Sequence, residues 1–319
     1  MLPHEKQIQE YEETIAKLRS TQGAQKPLLS ETEIAKLEKK LSDLKKKVYK
    51  NLSPWERVAI CRHPGRPKAT DYIKNLCEDF IELSGDRLFR DDPAILCGFA
   101  TIGKQKFMVI GQEKGNDTES RLKRNFGMMH PEGYRKAMRC MRLAAKFDVP
   151  VVVFIDTPGA YPGLAAEERG QGWAIAQNLF EMARLPTPII IVLIGEGCSG
   201  GALGVGVGDT IGMLEHGYYS VISPEGCASI LWKDAAKSEV AAASLKMHAE
   251  NLIEMGVIDE VLSEPIGGAH HDPAAVYAVV REYVLRSVEG LKGISTDDLI
   301  ENRYNKFRAM GRFTVEVGD

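Results

Sequence analysis

Two uninterrupted apolar runs, each ending in a glycine-rich turn, most constrain how this chain can fold. The first, VPVVVFIDTPGAYPG, covers residues 149–163, and the second, TPIIIVLIGEGCSGG, covers residues 187–201. A helical pattern follows each run. Apolar strands that alternate with helices form parallel sheets that are buried on both faces. Because functional loops gather at the carboxyl ends of such strands, we expect both glycine turns to open at the same edge.

Further strands and helices are predicted on both sides of these two runs. The segments GFATIG and KFMVIGQEKG predict short strands joined by a tight turn. Apolar residues at helical spacing predict further helices. The predicted helices cover residues 71–83, 133–147, 165–185, 274–291 and 295–310.

The N-terminal segment has a different pattern. Apolar residues recur at alternating three- and four-residue steps, which predicts two helices folded into an antiparallel hairpin. The first set is Ile8, Tyr11, Ile15 and Leu18, and the second is Ile34, Leu37, Leu41, Leu44 and Val48. We expect residues 1–50 to serve assembly, residues 51–290 to form the catalytic domain, and residues 291–319 to form a C-terminal helix and tail. The hairpin packs either on the body or on a partner chain.

Composition excludes several classes of protein. The chain has 319 residues, a net charge of −3 and six cysteines without a C-x-x-C pair. This predicts neither a zinc ribbon nor a disulfide framework, and therefore no metal in this chain and a reducing cytoplasm as its compartment. The near-neutral charge provides no excess of positive charge for binding nucleic acid. No apolar run approaches the length of a membrane span.

The second glycine turn fits three different motifs. Gly195–Gly200 matches G-x-G-x-x-G, the phosphate-binding turn of a dinucleotide fold, and Glu215 lies where a ribose-binding acid would be expected. Only about eight residues separate Gly200 from the next predicted strand, whereas this crossover needs a dozen or more residues including a helix. The spacing therefore disfavours a dinucleotide site.

The same turn also matches G-x-S-x-G, the nucleophile elbow of serine hydrolases, with Ser199 as nucleophile. The chain order permits a triad in which an acidic residue and His270 follow Ser199. The candidate acids are Asp209, Asp234 and Asp259. Against this interpretation, Gly195 and Glu196 separate the apolar strand from the elbow. Ser199 as a nucleophile remains an alternative.

The third interpretation needs only the backbone. Gly200 and Gly201 would leave their N–H groups uncovered by side chains at a helix start, where they could stabilise an oxygen that becomes anionic. Taken alone, the turn is better explained by close packing between helix and strand.

Four longer motifs carry a resemblance to a known family. They are NFGMMHPEGYRKA (125–137), FIDTPGAYPGLAAEERGQ (154–171), GEGCSGGALGVGVGD (195–209) and YSVISPEGCASILWK (219–233). In this order they resemble the alpha subunit of the bacterial and plastid acetyl-coenzyme A carboxylase carboxyltransferase, from about residue 30 onward. The resemblance implies a crotonase (ClpP/crotonase-like) α/β fold, a spiral of repeated β-β-α units rather than a doubly wound sheet.

The resemblance also implies an activity. This family transfers a carboxyl group from carboxybiotin, held on a biotin carboxyl carrier protein and made by biotin carboxylase, to acetyl-coenzyme A. The product is malonyl-coenzyme A, in the first committed step of fatty acid synthesis. A beta subunit, in an α2β2 complex, would hold the acyl thioester and a zinc ribbon.

The resemblance assigns residues to the carboxybiotin half of such a site. Gly200 and Gly201 would form the backbone oxyanion site for the biotin ureido oxygen. Residues along the carboxybiotin pocket would be Gly159, Ala160, Tyr161 and Gly163. A stand-alone acyl-coenzyme A hydratase or isomerase of the same superfamily remains the alternative, and it would need an acid/base glutamate beside each turn.

Other residues near the turns are expected to be structural. Cys198 and Cys227 are interpreted as small packing residues. Loop orientation or subunit contact is favoured for Tyr161, Glu167, Glu168 and Arg169.

Overall fold

The computed structural model describes residues 5–21 and 31–311. Parts of the predicted hairpin and tail, residues 1–4, 22–30 and 312–319, lie outside the described residues. The strands are Glu78–Glu82 (β1), Ile95–Ile102 (β2), Gln105–Gln112 (β3), Val151–Thr157 (β4), Ile189–Cys198 (β5), Thr210–Leu214 (β6), Tyr218–Ser220 (β7) and Glu260–Leu262 (β8).

The α-helices alternate with these strands along most of the chain. They are Lys6–Thr21 (α1), Glu31–Lys50 (α2), Pro54–Cys61 (α3), Ala69–Leu76 (α4), Thr118–Lys123 (α5), Pro131–Lys146 (α6), Leu164–Glu167 (α7), Gln171–Met182 (α8), Ser199–Leu203 (α9), Pro224–Trp232 (α10), Ser238–Leu245 (α11), Ala249–Glu254 (α12), Pro273–Leu291 (α13) and Thr296–Arg308 (α14).

One sheet organises the described residues. Its order is β1-β2-β3-β4-β5-β6-β8, with β7 paired to β5 outside this path. The pairs β1–β2 and β2–β3 are antiparallel, and the remaining pairs are parallel. The two apolar runs of the sequence are β4 and β5 at the centre of the sheet. The predicted buried parallel sheet is therefore confirmed for the part formed by β3 to β8.

Strand β4 shows why those runs are apolar without interruption. All seven of its residues are buried. Val151, Val153 and Ile155 join the core cluster that includes Met138 and Met141 of α6. The residues between them, Val152 and Phe154, join a second cluster that includes Val280 and Tyr283 of α13. Both faces of the strand meet a helical layer, so residues 151–155 are all apolar, and polar residues appear only at the end of the strand, as Asp156 and Thr157.

Strand β5 changes its neighbour before it ends. Residues 190–193 pair with β6, whereas Glu196, Gly197 and Cys198 pair with β7. On the other side, Gly197 still pairs with Thr157 of β4, after a register shift. Strands thus flank β5 on both sides up to Gly197, and β7 alone pairs with Cys198, the residue before α9.

Two predicted helices are wrong in part. The helix expected over residues 71–83 ends at Leu76, and residues 78–82 form β1, because they pair with the free edge of β2. The helix expected over residues 165–185 is divided into α7 and α8, because Gly170 has a left-handed backbone with φ +78. Tertiary pairing and one glycine thus override helical periodicity.

The N-terminal helices form the predicted antiparallel hairpin. Ion pairs join Arg19 to Glu38 and Lys45 to Glu12, the second at 2.6 Å. These pairs are largely exposed and each contributes about 1 kcal/mol or less. The hairpin also contacts the body, since Glu5 lies 3.6 Å from the His271 ring nitrogen. Its role in assembly stays a prediction.

The heptad residues of the hairpin are unevenly covered. Ile8, Ile15 and Ile34 are buried, whereas Leu41 and Val48 remain partly exposed. Along residues 5–21 and 31–311, every helix is too short or too polar to cross a bilayer.

Candidate active site

The two glycine turns touch each other. A β-carbon added to Gly201 would lie 2.2 Å from the carbonyl carbon of Gly159 and 2.5 Å from the nitrogen of Ala160. Real β-carbons do not approach backbone atoms so closely, so only glycine fits at Gly201. The expectation that both turns open at one edge is confirmed. This contact is also a close packing of backbone on backbone, which by itself explains why residue 201 is glycine.

The second turn presents backbone donors. Gly200 and Gly201 lie in the first turn of α9, where N–H groups have no acceptor within the helix. Within the described chain, neither N–H donates to any loop, cap or side-chain acceptor. Helix α9 has only five residues, so its dipole is small and the donors themselves matter more.

Side chains fix the first turn. The Gln171 side-chain amide donates to Met129 O at 2.8 Å and to Tyr161 O at 2.9 Å. The Gly159 N–H donates to the Thr157 hydroxyl at 3.2 Å. The ring of Tyr161 stacks on His130 with a 4.3 Å centroid distance. The turn is therefore anchored through hydrogen bonds and ring stacking.

Gly163 gives the Tyr161 ring its space. A β-carbon on Gly163 would lie 2.4 Å from the Tyr161 ring. The structure thus brings Gly159 and Ala160 against Gly201, and Gly163 against Tyr161.

An apolar cavity of about 340 Å³ opens beside the second turn. Ser199 and Gly200 form part of its wall. Apolar and aromatic side chains form most of the rest, including Leu203, Tyr219, Val221 and Phe307. A largely apolar ligand with a polar group at Gly200 would match this lining.

A buried charged cluster lies at the ends of β3, β4 and β5. Lys114 pairs with Asp156 at 2.6 Å and also with Glu196. Arg62 donates from Nε to Glu196 at 2.6 Å, and the Tyr218 hydroxyl donates to the same carboxylate at 2.6 Å. Sequence reasoning did not identify this cluster. A signal was present, because Asp156 and Glu196 are charged residues inside apolar strand runs.

The cluster bears on the hydratase alternative. Glu196 is a glutamate beside the second turn, as an acid/base mechanism would need. Burial alone would raise the pKa of its carboxyl group, but Lys114 and Arg62 outweigh burial and lower the pKa to about 2. A carboxylate with this pKa and these partners is a poor proton donor or acceptor at neutral pH.

The hydrolase alternative finds no triad in the geometry of the described residues. Arg303 binds both carboxylate oxygens of Asp209 at 2.8 Å, and Lys306 pairs with Asp259. His270 stacks on His63 at 3.7 Å. Asp234 accepts the Ala236 N–H, which caps a short 3-10 turn.

Two further expectations concern single residues. The guanidinium of Arg169 pairs with buried Glu132 at 2.9 Å, a contact that would orient this loop, and its structural role stays a prediction. Cys198 and Cys227 are buried, as expected for packing residues, and burial raises the pKa of the Cys198 thiol to about 11. The short α9 also leaves no crossover helix for a dinucleotide site.

Comparison with known proteins gives a consistent result. The family described as acetyl co-enzyme A carboxylase carboxyltransferase-like matches residues 1–311. Acetyl-coenzyme A carboxylase carboxyl transferase subunit alpha from Chlamydia pneumoniae is 62% identical over 320 residues, covering 100% of this chain and 98% of the relative. The protein of the same name from Chlamydia trachomatis serovar L2 is 61% identical, covering 98% of this chain and 96% of the relative.

Solved structures with a similar fold are more distant. Transcarboxylase 12S with methylmalonyl-coenzyme A superposes with a TM-score of 0.56 at 16% identity, covering 70% of this chain and 42% of that one. The beta subunit of geranyl-CoA carboxylase from P. aeruginosa superposes with a TM-score of 0.56 at 14% identity, covering 79% and 45%. These likenesses bear on the fold alone, and they confirm the expected crotonase-type architecture.

Proposed function

The chain belongs to the family of acetyl-coenzyme A carboxylase carboxyl transferase alpha subunits, and we propose that its two touching glycine turns form the carboxybiotin half of the active site. The enzyme class is a carboxyltransferase, and the comparisons support it over the hydratase and hydrolase alternatives. The observation that carries the proposal is the contact of Gly201 with Gly159 and Ala160.

In this proposal the N–H groups of Gly200 and Gly201 donate to the biotin ureido oxygen. Both groups lie in the first turn of α9 and have no acceptor among the described residues. The turn with Gly159, Ala160, Tyr161 and Gly163 would lie along the carboxybiotin, because its residues Gly159 and Ala160 contact Gly201. The apolar cavity beside Gly200 suits the thiophane ring of biotin, which is apolar.

The reaction needs such donors. When the bond between the biotin nitrogen and the carboxyl carbon breaks, its electron pair stays on the nitrogen and spreads to the ureido oxygen. Fixed N–H donors stabilise that charge, typically by about 2.7–4 kcal/mol for one oxyanion-hole donor. The biotin nitrogen then takes a proton from the acetyl methyl group, and the resulting enolate attacks the released carbon dioxide. None of these steps requires an ionisable side chain from this chain.

The proposal makes this chain half of a catalyst. A beta subunit carrying zinc would supply the site for acetyl-coenzyme A, in an α2β2 complex. The carrier protein and biotin carboxylase would deliver carboxybiotin. All six cysteines are free thiols, which suits the cytoplasm that we propose as the compartment.

Reconstitution tests the function. The chain with its zinc-containing partner should convert malonyl-coenzyme A and a free biotin derivative into acetyl-coenzyme A and carboxylated biotin, whereas the chain alone should not. Coenzyme A products are separated by chromatography. Hydration of an enoyl-coenzyme A by the chain alone would contradict the proposal and favour the hydratase.

The hairpin provides a second test. Because its helices are joined to each other by exposed ion pairs and leave Leu41 and Val48 partly exposed, we propose that it contacts the partner subunit. Deleting residues 1–50 should weaken the complex at least tenfold while residues 51–311 still fold. Sedimentation of mixtures measures the affinity, and circular dichroism measures the fold. Normal affinity and turnover of the truncated chain would restrict the hairpin to a local role.

A further inference from the structure

A second cavity, of about 260 Å³, lies beside the first glycine turn and has a basic lining. Pro158, which precedes Gly159, forms part of its wall. Four cations also line it, namely Arg62, Lys68, Lys114 and Arg121. Apart from Glu196, the lining contains no acidic side chain among the described residues.

Two of these cations are already neutralised. Lys114 pairs with Asp156 and Glu196, and Arg62 pairs with Glu196 and with Glu225 at 2.5 Å. Three carboxylates therefore serve two cations. These ion pairs fix the floor of the cavity.

The other two cations have no carboxylate partner. Among the described residues, no salt bridge joins the side chain of Lys68 or Arg121 to a carboxylate, and the 2.8 Å contact of Lys68 with Asp71 Oδ2 is made by its backbone N–H. Arg121 makes only a long contact, 3.3 Å, from Nε to Gly115 O. Lys68 is only 4% exposed, and the carboxylate that attracts its ammonium group most, Asp156, already pairs with Lys114. Burying an unpaired charge is costly, which indicates that a ligand supplies the missing negative charge.

The rim of the cavity supports a ligand site independently. Phe126 lines the cavity and is 46% exposed. Its backbone is left-handed, with φ +55, and that of the preceding Asn125 has φ +45. A bulky residue in this conformation is strained, and strain of this kind gathers at ligand sites. The strained backbone places an aromatic ring at the mouth of the basic cavity.

We propose that this cavity binds a phosphate group through Lys68 and Arg121. Four cations against three carboxylates leave an excess of positive charge for an anion. The volume exceeds the need of a carboxylate and admits a phosphate or diphosphate. Burial also lowers the pKa of Lys68, and a bound phosphate would restore it. The phosphate belongs either to free inorganic phosphate or to coenzyme A, and only the second source rests on the proposed function.

Calorimetric titration of the full-length chain with inorganic phosphate, in buffer of low ionic strength, tests the site. Lys68→Met should weaken phosphate binding at least tenfold, and Arg121→Gln should weaken it severalfold. Lys74→Met is the matched control, because Lys74 lies exposed on the adjoining helix α4, and it should leave binding unchanged. Circular dichroism verifies that each variant is folded, and the half-buried Arg121 lies outside the apolar core, so its replacement should leave the fold intact.

The proposal is overturned if the wild-type chain shows no binding of phosphate up to about 10 mM, a free energy too small for a specific site. It is equally overturned if Lys68→Met and Arg121→Gln bind phosphate like the wild type. Coenzyme A and dephospho-coenzyme A then identify the source. If coenzyme A binds more tightly than dephospho-coenzyme A, and this advantage is lost in Lys68→Met, the site binds the 3′-phosphate of coenzyme A. If Lys68→Met leaves coenzyme A binding unchanged, the site binds free phosphate. These titrations use the chain without its partner, so a failed carboxyl transfer assay would not affect them.

Discussion

The two strand–turn–helix units at the centre of the molecule hold their glycine turns in opposite ways. In the first unit, β4 to α8, side chains anchor the turn, with Gln171 and Thr157 bonding to its backbone. In the second, β5 to α9, the turn has almost no side chains, and backbone lies on backbone at Gly201. The first turn is therefore held mainly by side-chain hydrogen bonds. The second turn has one such bond, from the Gln112 side-chain amide to Gly201 O at 2.7 Å, and depends above all on the absence of a β-carbon at Gly201.

This difference teaches how each turn can fail. A hydrogen-bonded turn loses its bonds one at a time, and the backbone can relax around the loss. A turn held by close backbone contact fails when any atom is added, because closely packed interiors cannot absorb it. The two turns should therefore respond very differently to substitution.

Gly201→Val should have the largest effect. Its β-carbon would lie 2.2 Å from Gly159 and force the turns apart, so we expect a loss of more than about 100-fold in carboxyl transfer, the typical cost of losing one oxyanion donor. Overpacking should also cost about 1–3 kcal/mol of unfolding free energy. Transfer rate and thermal unfolding measure both.

Gly172→Val is the control for that change. Gly172 lies exposed on α8, and a β-carbon added there would meet no atom within 4 Å. The substitution should leave transfer and melting temperature near those of the wild type. If Gly201→Val behaved like Gly172→Val, the two turns would not be held by contact.

Gln171→Leu should have an intermediate effect. It leaves the carbonyl oxygens of Met129 and Tyr161 without the Gln171 donors, which should lower the free energy of unfolding by about 1–3 kcal/mol. Chemical denaturation measures the loss. Gln177→Leu, on the exposed face of the same helix, should change stability little. Equal losses in both variants would show that the Gln171 bonds do not anchor the first turn.

Ser199→Ala should have the smallest effect. Ser199 is exposed, and the proposed chemistry uses backbone donors and no hydroxyl nucleophile. Its backbone has φ +54, so Ser199→Gly should stabilise the turn by up to about 1 kcal/mol. Transfer assays on both variants and labelling by a fluorophosphonate measure these effects. If Ser199→Ala abolished transfer and the fluorophosphonate labelled Ser199 in the wild type, the interpretation as a serine hydrolase would be favoured.

The sequence predicts the backbone of this region better than its side-chain contacts. Apolar runs identify β4 and β5, and the geometry of parallel strands brings their turns together, since both properties follow from local pattern. Strand β1 was missed because its pairing with β2 is a tertiary contact, whereas its residues have helical spacing.

The charged cluster was missed for a related reason. Arg62 lies 134 positions before Glu196, and the contact depends on the complete fold. A sequence places Lys114, Asp156 and Glu196 at strand ends, but it does not show which cation meets which carboxylate. The same holds for Lys68, whose lack of an ion pair is visible only when its neighbours are known.

The exchange of neighbours along β5 has a consequence for how the second turn accepts a ligand. A loop usually accumulates positional freedom with every residue beyond the last ladder bond, and a ligand must then remove that freedom. Here Gly197 lies between Thr157 and Tyr219, and Cys198 still pairs with Ser220. Only Ser199 separates this fixed strand end from Gly200. The second turn therefore starts from a rigid support, and a ligand that reaches its N–H groups has little entropy of ordering to overcome.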